Sequence, residues 1–157
     1  MANTTRFEFQ TRLLEKGAEQ LQHHISRIDE ILSKIKAGAV TVWVALIGWA
    51  FTTNNIPIIS LGAVVILGFW LLEGFFRGIQ ARYFVSSAKL TSFVNDREAL
   101  DQCFKSLEYP ADLIYPMTFK ESEWTKLVMY WRGLSAPSTI ILYAFLGFVN
   151  YLIWMFG

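Results

Sequence analysis

Two long stretches of this 157-residue chain contain no Asp, Glu, Lys, Arg or His, namely residues 37–72 and residues 133–157. A helix needs about 20 apolar residues to cross the hydrocarbon core of a bilayer, so the first stretch fits two short spans and the second fits one. Charged residues make up only 17% of the chain, against roughly 25% in an average soluble domain. The pattern predicts a membrane protein and excludes a disordered chain or an ordinary cytosolic enzyme.

A polar turn divides the first uncharged stretch at Thr52–Pro57. Asparagine suits turns, and proline begins a helix more readily than it lies inside one. We therefore expect three transmembrane helices, over 36–51, 57–76 and 137–156.

The positions of the basic residues predict an orientation. All 14 Lys and Arg residues lie within 1–36 and 77–132. Because Lys and Arg accumulate in cytoplasmic segments, both of these segments are predicted to be cytoplasmic. The predicted fold is an all-α membrane protein. Its parts are a cytoplasmic coiled-coil helix over 1–36, a transmembrane hairpin over 37–76, a cytoplasmic helical segment over 77–133 and a third transmembrane helix over 134–157.

Capping signals predict helices within the second charged segment. A cap at Asn95–Glu98 predicts a helix to about Leu107, ended by Tyr109–Pro110 and followed by a loop. A second capping box at Thr118–Glu121 predicts another helix. The Ser135–Pro137 segment then predicts a break before the third span.

The amino-terminal segment has a heptad pattern. Between residues 7 and 35, apolar residues alternate at spacings of four and three, as in the a/d seam of a coiled coil. Isoleucine at d positions favours trimers or tetramers over dimers. The alternative is an amphipathic helix that packs on the cytoplasmic segment of its own chain, and the pattern leaves both open. The predicted oligomerisation residues are Leu14, Leu21, Ile25, Ile28, Leu32 and Ile35.

No catalytic motif is present in the sequence. It has no Walker loop, dinucleotide glycine fingerprint, nucleophile elbow or metal-ligand spacing. The adjacent His23 and His24 point about 100° apart on a helix, so they do not form a shared metal face. Asp96, Glu98 and Asp101 fit a helix cap and a solvated face. We therefore expect no enzyme activity, no cofactor and no metal.

Basic and aromatic residues occur together next to the second and third spans. Three interpretations apply: anchors that contact anionic lipid, residues of helix packing, and a site for a phosphate-bearing ligand such as a nucleotide or oligonucleotide. The predicted ligand-binding residues are Arg77, Arg82, Tyr83, Lys89, Lys126, Tyr130, Trp131 and Arg132.

The first span carries a stripe of small, weakly polar residues at spacings of three and four. Such a stripe marks close helix packing in lipid, and it can equally line a narrow pore between subunits. The predicted pore-lining residues are Gly38, Thr41, Ala45, Gly48 and Thr52. In the third span, Asn150 is expected to make an interhelical hydrogen bond. Glu73 is expected at the cytoplasmic edge, paired with Arg77 one helical turn later, and it therefore marks no proton relay.

Two short motifs carry a family resemblance. They are Ser33-Lys34-Ile35-Lys36-Ala37-Gly38 and, before a basic helix, Phe69-Trp70-Leu71-Leu72-Glu73-Gly74-Phe75-Phe76. With the tight hairpin between them, the chain resembles the membrane subunit of the two-gene Hailong anti-phage defence system, whose partner is a nucleotidyltransferase. It is more distantly similar to the SLATT membrane effectors, from which its third span departs. The resemblance implies a channel-like oligomer of the bacterial inner membrane that a nucleotide or oligonucleotide opens or holds shut.

Two functions are therefore expected as alternatives. The first is a homo-oligomeric membrane effector, with a tetramer favoured, whose partners are membrane lipid, further copies of itself and a nucleotidyltransferase product as gating ligand. Its amino terminus is expected in the cytoplasm and its carboxyl terminus in the periplasm. The second is a non-conducting membrane anchor or scaffold that recruits a cytosolic partner through the coiled coil. A small-molecule transporter is disfavoured, because the sequence lacks an intramembrane charged site.

Overall fold

A computed structural model describes residues 2–55, 57–114 and 122–156 of the chain. These residues form helices and irregular connections, with no β-strand among them. Three of the helices, which begin at Ala2, Pro57 and Pro137, are long and apolar enough to cross a membrane, as the uncharged stretches predicted. The helices are α1 (Ala2–Thr53), α2 (Pro57–Asn95), α3 (Arg97–Ser106), α4 (Ala111–Ile114), α5 (Glu123–Leu134) and α6 (Pro137–Phe156).

Two of the apolar helices are much longer than a membrane span. At 1.5 Å per residue, the 52 residues of α1 extend about 78 Å and the 39 residues of α2 about 58 Å. A bilayer core is only about 30 Å thick, so each helix also has a segment outside it. The predicted first span over 36–51 therefore lies within one uninterrupted helix, while α6 has the predicted limits of the third span.

The predicted turn between the first two spans is confirmed. Asn54 ends α1 with a φ of 50°, a left-handed conformation that asparagine tolerates better than most residues. The amide of Asn55 donates to the carbonyl of Ala50 at 3.1 Å, which satisfies one of the last carbonyls of the helix. α2 then begins at Pro57, where a proline needs no amide partner.

The predicted cap before α3 is present, but the capping residue is Asp96, so Glu98 lies at the second helical position and not at the third. The Asp96 carboxylate accepts hydrogen bonds from the backbone amides of Glu98 and Ala99, each at 3.1 Å. α3 ends at a left-handed Leu107. The prediction of a loop after Pro110 is wrong in part, because α4 adds a helical turn there. The second predicted capping box, at 118–121, lies outside the described residues.

The chain divides into two compact units. We call Met1–Arg27 with Gln80–Ser122 the charged unit, and Ile28–Ile79 with Glu123–Gly157 the apolar unit. In the charged unit, the ring of Phe7 stacks on Tyr109 at 4.9 Å and meets Phe104 edge-on at 5.8 Å. The buried side chains of this unit include Leu21, Cys103 and Leu113.

Glycines allow α2 and α5 to pack closely within the apolar unit. A Cβ atom on Gly133 would lie 2.5 Å from the carbonyl oxygen of Gly74, and one on Gly78 would lie 3.2 Å from the Cα atom of Tyr130. Backbone atoms cannot yield as side-chain ends can, so this approach requires residues without side chains. α5 is thereby held against the last turns of the second span.

Candidate functional site

The most unusual side chain of the apolar unit is Glu73, a carboxylate on α2 with no exposed surface. Its Oε1 atom accepts hydrogen bonds from Arg77 Nε at 2.9 Å and from Thr139 Oγ1 at 2.7 Å. Lys36 Nζ lies 3.6 Å from the same oxygen. Glu73 therefore connects α1, α2 and α6, and we call these residues together with Ser138 and Tyr143 the Glu73 cluster.

Local geometry explains how the cluster forms. Glu73 and Arg77 are separated by one helical turn of α2, so the predicted pairing of the two side chains is confirmed. Arg77 Nη2 also donates to Ser138 Oγ at 2.8 Å. Ser138 and Thr139 belong to the first turn of α6, where the positive end of the helix dipole favours a nearby carboxylate.

Charge and burial make this cluster important for stability. A buried carboxylate is tolerated only when it is paired and hydrogen-bonded, because its desolvation otherwise costs several kcal/mol. Here two cations face one carboxylate, and their side chains are partly exposed, Lys36 by 31% and Arg77 by 21%. The formal charge of the cluster is therefore +1, with the negative charge inside and the cations toward its edge.

The cluster also contains hydrogen-bonding groups that are not used. The hydroxyl of Tyr143, which is 5% exposed, lies beside the Glu73 carboxylate. Neither this hydroxyl nor Glu73 Oε2 has a hydrogen bond of good geometry among the described residues. Buried polar groups normally find partners, and here one group is a donor and the other an acceptor, so a small rotation of either side chain would pair them.

The sequence predicted Glu73 at the cytoplasmic edge of its span, but it did not predict the enclosure of this side chain by three helices. The sequence did contain a signal for the pairing of Lys36 with Glu73. Lys36 and Glu73 lie at equal distances in sequence from the turn at Asn54–Asn55, so an antiparallel hairpin brings them to the same level. The contribution of Thr139 required the packing of α6.

A second polar cluster joins the same three helices through an amide. Trp43 Nε1 of α1 donates to Asn150 Oδ1 at 3.0 Å, and Asn150 Nδ2 donates to the carbonyl oxygen of Ile59 in α2 at 3.3 Å. A Cβ atom on Gly62 would lie 2.5 Å from Asn150 Oδ1, so a larger residue at this position would displace the amide. The predicted interhelical hydrogen bond of Asn150 is confirmed, and we call this group the Asn150 cluster.

The predicted pore stripe of α1 is mostly uncovered. Thr41, Ala45, Gly48 and Thr52 are exposed, and the hydroxyls of both threonines donate to carbonyls of their own helix at 2.8 Å. Gly38 differs from the other four, because a Cβ atom there would lie 3.4 Å from the ring of Phe69 on α2. Gly38 is thus a packing contact within the chain.

The predicted ligand-binding residues are distributed over both units. Arg82, Tyr83 and Lys89 lie on α2 in the charged unit, where the ring of His24 stacks on Tyr83 at 5.5 Å. The others lie in the apolar unit, where Arg77 belongs to the Glu73 cluster. Tyr130 packs on Gly78, Lys126 is half-buried, and Trp131 and Arg132 are exposed.

The predicted oligomerisation residues are largely covered by the chain itself. Leu21, Ile28, Leu32 and Ile35 are buried, whereas Leu14 and Ile25 are half-buried. This burial is what the alternative of an amphipathic helix packing within its own chain expects. The role of these six residues in subunit contacts stays a prediction.

The charged unit contains a cleft of about 350 Å³ whose lining includes Phe93, Gln102, Cys103 and Tyr109. Burial raises the pKa of the Cys103 thiol, which lowers the fraction of reactive thiolate. Within residues 2–55, 57–114 and 122–156, no group of three or more His, Cys, Asp or Glu side chains is placed to hold a metal ion.

Comparisons of the chain with protein-family models, with curated proteins and with solved structures found no match. Its function is therefore inferred from the two polar clusters, the exposed face of α1 and the sequence pattern.

Proposed function

We propose that this chain is the subunit of an oligomeric, ion-channel-like membrane effector of bacterial anti-phage defence. In this proposal a tetramer is favoured, and a nucleotide or oligonucleotide made by a nucleotidyltransferase gates the channel from the cytoplasm. The subunit resides in the bacterial inner membrane, with its amino terminus in the cytoplasm and its carboxyl terminus in the periplasm.

The observation that carries the proposal is the uncovered, weakly polar face of α1. A pore that runs between copies needs lining residues that are exposed on the single chain, and Thr41, Ala45, Gly48 and Thr52 meet this requirement. Small residues also allow helices of different subunits to approach closely in lipid. Large apolar side chains such as Val44 and Phe51 are exposed on other parts of α1, where acyl chains solvate them well.

The continuity of α2 supports coupling between a ligand and the pore. Arg82, Tyr83 and Lys89 lie on the same uninterrupted helix as Arg77, between one and about three turns further along it. A ligand that binds this part of α2 acts on the helix that carries Glu73. We propose the Glu73 cluster as the latch, because it joins the three spans through a buried carboxylate whose cationic partners, Lys36 and Arg77, are partly exposed and can turn toward water.

Cysteine block of the conductance tests the pore. The chain carries Cys103→Ser in every case, and Ala45→Cys is compared with Val40→Cys, which introduces a thiol at an exposed position on another face of α1. In planar bilayers with a candidate oligonucleotide, a charged thiol reagent should block the current of Ala45→Cys and leave that of Val40→Cys unchanged. Equal block at both positions, or no current with any oligonucleotide tried, would contradict the proposal.

Exposed apolar side chains in the charged unit favour a second candidate function, the non-conducting scaffold. Phe9 and Phe104 are 61% and 58% exposed, so this unit has apolar surface available for a cytosolic protein. A scaffold assembles and binds its partner without conductance. In that case the alanine substitutions Phe9→Ala and Phe104→Ala would weaken partner capture, and neither the wild-type chain nor these variants would carry a ligand-dependent current.

A further inference from the structure

Helix α5 has an apolar face that nothing in the described part of the chain covers. Trp124, Leu127, Val128 and Trp131 occur at spacings of three and four, so they lie on one side of the helix. Their exposed fractions are 73%, 46%, 38% and 59%. A row of this kind, with two tryptophans, is unusual on a surface in contact with water.

The opposite side of α5 is fixed to the second span. The backbone of Tyr130 and of Gly133 lies close to the backbone of α2 at Gly78 and Gly74. At about 100° per residue, Gly133 lies on the side of α5 opposite Trp124 and Val128. The apolar face therefore points away from α2.

Contacts at the carboxyl end of α5 give its depth. The carbonyl of Leu134 accepts a hydrogen bond from Trp70 Nε1 at 3.3 Å, and its side chain contacts Gly74. Both partners belong to the part of α2 predicted as the second span. After two residues α6 begins, and its Ser138 is bonded to Arg77. The last turn of α5 thus lies at the same depth as the first turn of α6, at the border of the apolar region.

We propose that α5 lies in the membrane interface, with Trp124, Leu127, Val128 and Trp131 immersed between the phospholipid headgroups and the acyl chains. Indole rings favour this region because they combine a large apolar surface with a hydrogen-bond donor. On α6, which begins two residues after α5, Ile140 and Ile141 are also exposed, by 46% and 69%. In this proposal the bilayer covers the apolar face of α5, and Trp131 is therefore no longer assigned to the predicted ligand site. The inference does not depend on channel activity.

Nitroxide accessibility in a bilayer tests this proposal. The full chain with Cys103→Ser and Val128→Cys is spin-labelled and reconstituted into vesicles of equal parts phosphatidylcholine and phosphatidylglycerol. Oxygen concentrates in the acyl region, whereas a polar nickel complex stays in water. We expect oxygen to relax the label at position 128 more strongly than the nickel complex does. Asp101→Cys, an exposed position on α3 in the charged unit, is the control in water and should give the reverse order.

Other outcomes would overturn the proposal. Strong relaxation by the nickel complex at position 128 would mean that the face is in water. Weak relaxation by both reagents would mean that a protein surface, such as a second copy, covers it. Leu127→Cys provides an independent reading on the same face if the Val128→Cys chain does not reach the membrane.

Discussion

The same three helices are joined by two polar clusters of different chemistry. The Asn150 cluster uses neutral groups, and both ends of its amide are bonded, to Trp43 on α1 and to Ile59 on α2. The Glu73 cluster uses charges, and it leaves Glu73 Oε2 and the Tyr143 hydroxyl without good partners among the described residues. One cluster depends on neutral hydrogen bonds, and the other depends on a buried charge whose partners are partly exposed.

This difference suggests which cluster changes when the helices move. Lys36 and Arg77 are partly exposed, so they can exchange the carboxylate for water when the helices move. The buried Asn150 amide has no such alternative. We infer that it holds the spans in register, while the Glu73 cluster is able to switch. Four sets of substitutions test this comparison through the free energy of unfolding, measured by titration with a denaturing detergent in mixed micelles.

Removing the buried carboxylate should have the largest effect. Glu73→Ala leaves two cations without their shared partner and is expected to lower the free energy of unfolding by about 3 kcal/mol, the lower end of the range for breaking a buried pair. The lower end applies because Lys36 and Arg77 are partly exposed and can turn toward water. Glu73→Gln, which keeps an acceptor for Thr139, should lose less. A loss no greater than that of Asn150→Ala would contradict the assigned importance of the charge.

Replacing a glycine with alanine adds one methyl group. The resulting loss of stability should distinguish a glycine that contacts backbone atoms from one that contacts a side chain. Gly133→Ala meets the Gly74 carbonyl and should cost about 1–3 kcal/mol through overpacking. Gly62→Ala meets the Asn150 amide, which can move, so its loss should be smaller. Gly68→Ala is the control, since a Cβ atom there meets nothing within 4 Å. If Gly68→Ala destabilised as much as Gly133→Ala, the close contact of α2 and α5 would not be the cause.

The Asn150 cluster should contribute a moderate amount to the free energy of unfolding. Asn150→Ala removes two hydrogen bonds between spans and should lower the free energy of unfolding by about 1 kcal/mol, because polar contacts in membranes are weak individually. A double-mutant cycle with Trp43→Phe should show coupling, since the indole donates to the same amide. Strictly additive losses would show that the two residues act independently.

The smallest effect is expected from the Thr139 hydroxyl, which joins α6 to the rest of the Glu73 cluster. Thr139→Val keeps the shape of the side chain and removes its donor to Glu73, so the expected loss is about 0.6 kcal/mol. Thr139→Ser keeps the donor and should lose less. If serine and valine gave the same loss, packing rather than the hydrogen bond would explain the contribution of this position.

Local features of the fold were accessible from the sequence. Uncharged stretches of suitable length predicted the three apolar helices. Asn54, Pro57 and Asp96 indicate where helices end or begin, because each has a strong backbone or capping preference. The pairing of Glu73 with Arg77 followed from helical spacing alone. These features depend on neighbours within a few residues, which one sequence displays directly.

Contacts between distant helices were less accessible. The apolar part of α1 is hydrophobic on most sides, so periodicity does not say which face meets α2 and α6. The assignment of Gly38 to the uncovered stripe, when it in fact packs against Phe69, follows from this ambiguity. The enclosure of Glu73 by Thr139 and the use of Gly133 against α2 both depend on how the helices are rotated, which local patterns do not specify.

The most direct test of the proposed latch is the open fraction of the channel in planar bilayers without ligand. Wild-type chain, Glu73→Gln and Asn150→Ala are compared at equal protein density. The account predicts that Glu73→Gln changes the ligand-free open fraction severalfold, while Asn150→Ala leaves it close to the wild-type value despite its loss of stability. Equal open fractions for Glu73→Gln and the wild type, or a larger change for Asn150→Ala, would contradict the assignment of the Glu73 cluster as the latch.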